Sequence, residues 1–296
     1  MPARSPSSTT LHAKKPGRDP RLYQIAVLGS LLLFGVFALD FDIDPRIAPI
    51  ILAGALATQW IWTRLLGLER FDPRSPLISG LSLCLLLRTP FLDLALLAVF
   101  VTISSKFLLR ARGKHIFNPT NFGLALILLL DGGAWVSSGQ WGSAAWLGLL
   151  LASVGILVVH RAERSDVTWG FLAAYAGLLF GRALWLGDPL AIPLHQLKSG
   201  ALLIFAFFMI SDPKTTPDSR AGRLLFASLV AGLALYIQFG LYRPNGLIWA
   251  LLLMSPAVPV IDCLLPGRRY AWPAFRPASA SSPASAPALQ EPAHAS

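Results

Sequence analysis

The chain has 296 residues, of which 54% are hydrophobic and only 14% are charged, and its mean hydropathy is +0.59. So little charge excludes an ordinary soluble protein of this length and predicts an all-α polytopic membrane protein. The net charge of +10 does not indicate a nucleic-acid partner, because the basic residues flank apolar segments, as the positive-inside rule expects. The lipid bilayer is the expected partner of these segments.

Residues that commonly bind metals or haem show no suitable spacing. Cys84 and Cys263 both lie in apolar stretches and form neither a CxxC nor a CxxCH motif. The five histidines include no pair spaced for one face of one helix. We therefore predict no metal, iron–sulfur or haem site.

The two ends of the chain are polar. Residues 1–21 are basic and rich in proline, which predicts a disordered cytoplasmic arm. Residues 267–296 are dominated by Ala, Ser and Pro, a composition that cannot bury a core, and are predicted to be a disordered tail. Residues 22–266 between them are predicted to form a single transmembrane domain.

About ten apolar segments follow one another in this domain. In chain order they are 22–39, 47–66, 76–88, 91–109, 117–131, 141–159, 168–186, 199–211, 223–241 and 245–265. Two of them, 76–88 and 199–211, are short for a bilayer core, which takes about 20 residues to cross. Each short segment ends in a polar triplet with proline, Arg88-Thr89-Pro90 or Ser211-Asp212-Pro213.

The two short segments indicate an internal repeat. Each is followed by one full helix and then by a polar turn with Asn and Pro, "FNPTNFG" from residue 117 or "YRPNG" from residue 242. The units, about 22–131 and 141–265, contain five segments each, so the second enters the membrane from the opposite face. Such a pattern predicts two inverted five-helix repeats with half-helices and a site near the midplane. A chance match of two proline-ended segments is the alternative.

Charge predicts the orientation. With ten crossings and a cytoplasmic N-terminus, 20 of the 25 Lys and Arg residues lie on the cytoplasmic side. The aspartate-rich loop 40–44 then lies outside. We predict a multi-pass protein of the bacterial cytoplasmic membrane with both termini in the cytoplasm.

The stretch "GKHIFNPTNFG" at 113–123 predicts a helix start that faces a ligand. Pro119 suits the first helical position, Asn118 suits the cap before it, and Asn121 faces the same opening. Free N–H groups and the positive end of the helix dipole favour a ligand acceptor there, and His115 lies one turn before. The alternative is ordinary capping of a membrane helix.

The stretch "ISDPKTTP" places a carboxylate at the end of a half-helix. Asp212 lies at the helix C-terminus, where the dipole disfavours an anion, so it requires a compensating partner. Lys214, the basic loop 110–114 and caps from Thr215 and Thr216 are candidates. A polar turn at the water interface is the alternative. Arg88, at the end of the other half-helix, is predicted to satisfy backbone carbonyls or to meet water.

Two motifs in this order resemble a known family. The opening N-P-x-x-x-G at Asn118–Gly123 and the turn F-M-x-[ST]-D-P at Phe208–Pro213 are similar to those of a family of membrane proteins. That family includes the NqrB subunit of the sodium-translocating NADH:quinone oxidoreductase and the RnfD subunit of the Rnf electron-transport complex. Stand-alone relatives associated with enediyne biosynthesis look similar too. The resemblance covers about residues 75–266 and implies ten helices in two inverted repeats.

The resemblance also implies flavin. Family members hold a riboflavin near the cytoplasmic side and an FMN esterified to a threonine of an outer S-G-A-T motif. By resemblance, the expected cofactor-binding residues are His115, Asn118, Pro119, Asn121, Gly123, Asp212, Thr215 and Thr216. The corresponding outer loop, "DGGAWVSSGQWGS" at 131–143, has Ser138-Gly139 but no threonine. We therefore expect non-covalent flavin, either riboflavin or FMN, and no covalent FMN.

Three functions are compatible with the sequence. The first is an electron-transfer membrane protein of the RnfD or NqrB kind, which passes electrons through flavin to or from other redox-complex subunits or a quinone. The second is a channel or transporter, with Arg88, Asn118 and Asp212 at the midplane. The third is a non-catalytic membrane anchor for a biosynthetic redox partner.

Overall fold

Five helices occupy the described part of the first half, and each lies on a predicted apolar segment. The computed structural model describes residues 19–39, 41, 44–130, 133–137 and 165–270. The helices are α1 (Pro20–Ala38), α2 (Ile47–Leu65), α3 (Arg74–Leu86), α4 (Leu92–Leu108) and α5 (Pro119–Leu129). The strands between and after them are β1 (Leu87–Arg88), β2 (Arg110–Ala111), β3 (Lys114–His115) and β4 (Trp135–Val136).

The short strands form two antiparallel pairs. In the first pair, β2 and β3 form a hairpin in which Arg110 lies opposite His115. Its turn residues Arg112 and Gly113 have φ angles of 51° and 78°, the left-handed region that glycine adopts without strain. In the second pair, Leu87 of β1 lies opposite Val136 of β4. This pair joins the end of α3 to the segment after α5.

The second half forms a similar series of helices. They are α6 (Ser165–Leu186), α7 (Ala191–Leu197), α8 (Gly200–Ile204), α9 (Arg220–Leu235), α10 (Gly246–Met254) and α11 (Val258–Leu264). The π-helical turns Phe205–Met209 and Tyr236–Gly240 extend α8 and α9, and the 3₁₀ turn Ser255–Ala257 joins α10 to α11. The predicted segment 141–159 lies outside the described residues, as do most of the predicted arm and tail.

Helix lengths agree with a polytopic helical membrane protein. Among the described residues, four helices are long and apolar enough to cross a membrane: Arg21–Ala38, Ser165–Leu186, Arg220–Gly240 and Gly246–Leu264. A fifth is possible if Ala191–Leu197 and Gly200–Met209, which meet at a bend of 50°, form one broken span. The predicted short segment at 76–88 is indeed a short helix, with 13 residues in α3. Ten crossings remain a prediction.

Corresponding helices pack alike in the two halves. In the first half α4 packs against α2 and α5, and in the second half α9 packs against α6 and α10. The two halves meet where α5 contacts α10. The second-half core contains aromatic side chains that are almost wholly removed from solvent: Phe171, Phe205, Phe207 and Phe226. Burial of such apolar side chains stabilises the packing at roughly 25 cal/mol per Å².

The connections between helices gather at two places. The hairpin of β2 and β3, the turn 211–219 and the residues from Asp262 to Tyr270 contact one another. We call this the hairpin end. The segments 135–136, 195–199 and 244–248 line one cavity together with Leu86. We call this the cavity end. The prediction of alternating crossings puts the first group in the cytoplasm and the second outside.

Candidate functional site

Asn118 caps α5 as the sequence predicts. Its backbone is extended, with φ −61° and ψ 124°, and its side-chain oxygen accepts a hydrogen bond from the N–H of Asn121 at 3.1 Å. Pro119 follows at the first helical position, where its missing N–H removes no helical hydrogen bond. The local structure of the "NPTN" stretch is therefore set by capping chemistry.

The two asparagines also tie separate parts of the chain together. Asn118 Nδ2 donates to the carbonyl of Met209, at the end of the extended α8, at 3.2 Å. Asn121 Nδ2 donates to the carbonyl of Ile248 in α10 at 3.1 Å. Both asparagines are buried. Two amides of the first half thus hold two backbone groups of the second half.

Asp212 organises the turn after α8. Its carboxylate oxygen Oδ1 accepts from the N–H of Lys214 at 2.9 Å, and its carbonyl accepts from the N–H and hydroxyl groups of both Thr215 and Thr216. The two threonines are buried, with 4% and 0% of their surface exposed. These bonds give Asp212, Thr215 and Thr216 a turn-forming role, which corresponds to the polar turn that the sequence analysis gave as the alternative for Asp212.

A buried ion cluster fixes this turn to the hairpin. Lys114 Nζ donates to the carbonyl of Thr216 at 2.7 Å, to Asp218 Oδ1 at 3.0 Å and to Asp262 Oδ2 at 2.9 Å. Asp262 Oδ1 accepts from the N–H of Asp218 at 2.7 Å. The sequence did not predict this cluster. Its members are far apart in the chain and carry no shared motif.

His115 lies beside this cluster in a largely buried position. Burial, followed by the nearby cations of Arg110 and Lys106, lowers the pKa of its ring to about 4. The ring is therefore neutral at pH 7. Its Nδ1 atom is buried and has no hydrogen-bond partner among the described residues.

Gly123 serves helix packing. A Cβ atom at this position would lie 1.8 Å from Thr102 Oγ1 and 3.1 Å from the carbonyl of Ala98. Both neighbours belong to α4, so α5 can approach α4 this closely because residue 123 has no side chain. The glycine of the N-P-x-x-x-G motif is explained by this contact.

Arg88 caps the end of the first half-helix. Its NH1 group donates to the carbonyl of Cys84 at 2.9 Å and to that of Leu87 at 2.7 Å. A cation at a helix C-terminus is favoured by the helix dipole. The prediction that Arg88 satisfies backbone carbonyls is confirmed.

A cavity of about 800 Å³ opens at the cavity end. Apolar and aromatic side chains form most of its wall. Its lining residues include Trp135, Tyr175, Gln196, Phe205, Met209, Gln238, Asn245 and Ile248. None of the predicted cofactor-binding residues lines this cavity. They are His115, Asn118, Pro119, Asn121, Gly123, Asp212, Thr215 and Thr216.

Amide groups supply part of the polar lining of this cavity. Gln196 Oε1 is buried and has no hydrogen-bond partner among the described residues. Gln238 Oε1 accepts from the Tyr175 hydroxyl at 3.3 Å. Asn245 precedes α10 with φ 60°, and its side chain makes no capping bond, unlike that of Asn118. These side chains offer both a hydrogen-bond acceptor and donors to a ligand.

The asparagines of the sequence motif support the walls of this cavity. Met209 and Ile248, whose carbonyls accept from Asn118 and Asn121, both line it. These two predicted residues therefore lie behind the cavity wall. The sequence missed Tyr175, Gln196 and Gln238, because single amides and aromatics in apolar helices give no motif.

Comparison with known proteins agrees with the second of the two motifs, the turn at Phe208–Pro213. Residues 131–271 match the sequence profile of the NQR2, RnfD, RnfE family. The second half of this chain is similar to that family. The resemblance predicted from the sequence is thereby confirmed over this segment.

Individual relatives are named as the D subunit of an ion-translocating oxidoreductase complex. The protein of Citrobacter koseri is 36% identical over 144 residues, which are 48% of this chain and 38% of that protein. The protein of Escherichia coli O1:K1 is 38% identical over 146 residues, with the same shares. The protein of Escherichia coli K12 is 37% identical over 146 residues, again with the same shares. The chain spans about two fifths of the length of these curated relatives.

The segment that matches the NQR2, RnfD, RnfE family contains most of the residues that line the cavity, but it does not contain the N-P-x-x-x-G motif. Asp212, Thr215, Thr216 and the second-half cavity residues, including Gln196, fall within 131–271. His115, Asn118, Pro119, Asn121 and Gly123 precede it. The loop residues Ser138 and Gly139, on which the expectation about covalent FMN depends, fall within the match but outside the described residues.

Proposed function

We propose that this chain is an RnfD-like membrane protein that transfers electrons through a non-covalently bound flavin. Relatives named as the D subunit of an ion-translocating oxidoreductase complex support the coarse assignment. The helical architecture, with broken and short helices among long apolar ones, is compatible with it. Other subunits of such a complex are then its partners, and the bacterial inner membrane is its location.

An inverted repeat is part of the proposal. The packing of α4 with α2 and α5 corresponds to that of α9 with α6 and α10. Each half also has a glycine near the start of its fifth helix that meets a carbonyl of the fourth. A Cβ at Gly123 would lie 3.1 Å from the oxygen of Ala98, and one at Gly246 would lie 2.6 Å from that of Ala234. These paired contacts support two units of one design.

The flavin ring fits the cavity better than it fits the predicted position at Asn118. Both polar groups of the Asn118 amide already bind protein, so a flavin would have to displace the Asn121 N–H or the Met209 carbonyl. The cavity, in contrast, has a volume of about 800 Å³ and aromatic walls. Gln196 Oε1, a buried acceptor with no hydrogen-bond partner among the described residues, is the observation that carries the proposal. An acceptor in that state favours a ligand with an N–H group.

The residues of the chain would bind and orient the ring. Gln196 would accept a hydrogen bond from a ring N–H, and the amide groups of Gln238 and Asn245 would donate to ring carbonyls. Tyr175 and Phe205 supply flat apolar surface. His195 and Lys198, which are exposed at the cavity, favour a negatively charged flavin substituent. When bound, the flavin supplies the electron-transfer chemistry, and the protein contributes orientation and exclusion of water.

The attachment is proposed to be non-covalent. The outer loop of the chain has no threonine between residues 131 and 143, so the acceptor for an ester-linked FMN is missing there. Hydrogen bonds from the cavity amides would take over the task of holding the ring.

Flavin analysis of the purified chain tests the proposal. We expect an absorption spectrum of bound flavin, all of it released by acid. Gln196→Leu should lower the retained flavin several-fold, whereas Gln24→Leu on α1, which does not line the cavity, should retain it. A colourless protein that takes up neither riboflavin nor FMN would contradict the proposal. Acid-stable flavin would contradict its non-covalent part.

A channel or transporter is the second candidate, because the cavity lies beside a broken helix. Its predicted midplane residues do not support it, since Arg88 and Asn118 are buried and bonded to backbone carbonyls. Uptake of a solute into liposomes without a redox donor, lost in Asn118→Ala, would favour this candidate.

A membrane anchor would instead tolerate Gln196→Leu with no loss of partner activity.

A further inference from the structure

Two lysines are buried at the hairpin end, and their surroundings differ. Lys114 and Lys106 have 8% and 5% of their surface exposed. Lys114 Nζ donates to two carboxylates and a carbonyl. Lys106 Nζ, on α4, donates to Gln59 Oε1 at 2.8 Å and to Ser75 Oγ at 3.2 Å. Both partners of Lys106 are neutral.

A buried ammonium with neutral partners is costly to maintain. Taking a charge out of water costs several kcal/mol, about as much as a nearby opposite charge can return. Within the described residues, no carboxylate lies within ion-pair distance of Lys106. Ser75 is in the first turn of α3, the end of a helix that disfavours a cation. Ionisable side chains placed in this way inside membrane proteins commonly carry protons or ions.

The charged groups around Lys106 lie farther from its Nζ atom than Gln59 and Ser75 do. The negative charges of Asp72, on the connection before α3, and of Asp212, in the turn after α8, attract the Lys106 ammonium group. Asp72 already binds Arg21 and Arg74, at 2.8 Å and 2.7 Å. The neutral ring of His115 on β3 hydrogen-bonds to the Lys106 backbone. Asp72 is therefore shared among several cations, and the Asp212 carboxylate accepts from the N–H of Lys214.

Ser75 gives the amine a route to solvent. Gln59 is buried, but Ser75 is half-buried and lies next to the surface connection at Asp72. Its hydroxyl can accept a proton from Lys106 while it gives its own proton to water. In this exchange one N–H bond of the ammonium breaks, the electron pair stays on nitrogen, and the proton leaves through Ser75 to solvent.

We propose that Lys106 is a proton-binding site of this protein, which loads and releases a proton at the hairpin end through Ser75. The proposal goes beyond the electron-transfer function and does not depend on flavin binding. Lys114, fixed by its carboxylates, takes no part in the exchange.

Two opposite substitutions test the proposal. Lys106→Met is permanently neutral and Lys106→Arg is permanently charged, so both lack a dissociable proton. The full chain in detergent, without flavin, is titrated with acid between pH 9 and pH 6. Because burial beside neutral partners disfavours the ammonium form, we expect the wild type to take up a proton in this range that neither variant takes up. Lys114→Arg, the matched control, should titrate like the wild type.

Superimposed titration curves of the wild type and both Lys106 variants would overturn the proposal. If Lys106→Met does not fold, the comparison with Lys106→Arg decides alone. Because no flavin is present, failure of this test leaves the electron-transfer proposal untouched. Conversely, a chain that binds no flavin can still take up the proton at Lys106 in this titration.

Discussion

At the scale of single residues, Asn118 both caps α5 and donates a hydrogen bond to the carbonyl of Met209. Capping of α5 follows from the local "NPT" pattern and was predicted. The bond to Met209 joins residues that are 91 positions apart, and no local pattern indicates such a partner. Propensity and capping act within a few residues, whereas the partner of a side chain depends on tertiary packing.

Substitution of Asn118 separates the two contributions. Asn118→Ser retains a capping oxygen but loses the bond to Met209, so we expect a loss of about 1 kcal/mol in the free energy of unfolding. Asn118→Ala loses both and should cost about 2 kcal/mol. Thermal unfolding in detergent measures both. A serine variant as stable as the wild type would show that the bond to Met209 contributes nothing to stability.

His115 makes the stability depend on pH. Its pKa is about 4 in the folded protein, below the ordinary value of 6.5, chiefly because the ring is buried. The unfolded chain binds more protons between these values, so stability is full above about pH 6.5 and falls as pH drops towards 4. The loss reaches about 3 kcal/mol at most.

The variant His115→Gln should show a weaker loss of stability over this pH range. Thermal unfolding of the wild type and the variant between pH 7 and pH 4 provides the measurement. His195→Gln, at an exposed position, serves as the control and should follow the wild type. Equal pH dependence in the wild type and His115→Gln would contradict the assignment.

At the scale of elements, the sequence predicted the helices better than it predicted their contacts. Apolar runs locate α1 to α5 in the first half, because burial in lipid requires continuous apolar surface. The half-helix at 199–211 was predicted from its proline-containing end. Its bend of 50° near Lys198 and its π-helical turn were not predicted, because helix irregularity depends on packing.

The packing of α5 on α4 gives a prediction at this scale. Gly123→Ala would place a methyl group against Thr102 and the carbonyl of Ala98, so the helices must separate. We expect a loss of about 1–3 kcal/mol in the free energy of unfolding. Gly181→Ala on α6, where no heavy atom lies within 4 Å of the new Cβ, should be neutral or slightly stabilising. Equal stabilities of the two variants would contradict the close approach.

At the scale of the whole molecule, the cavity could not be predicted from the sequence. Its lining comes from α3, β4, α6, the α7–α8 region, α9 and the start of α10. Residues from such separate elements share no spacing, and their side chains meet only in the folded chain. The hairpin end was partly predictable, since positive residues before α5 and after α11 pointed to one membrane side.

The separation of the hairpin end from the cavity end predicts how the chain crosses the membrane. Leu190, immediately before α7, and Arg268, at the hairpin end, are both exposed. Single cysteines at these positions, in a chain with Cys263→Ser to remove the exposed native thiol, can be labelled with a membrane-impermeant maleimide. We expect Leu190→Cys to react in spheroplasts and Arg268→Cys to react in inverted vesicles. In the inverted-repeat arrangement an odd number of membrane crossings lies between residues 190 and 268, so these residues face opposite sides of the membrane. Labelling of both cysteines from the same side would rule that arrangement out.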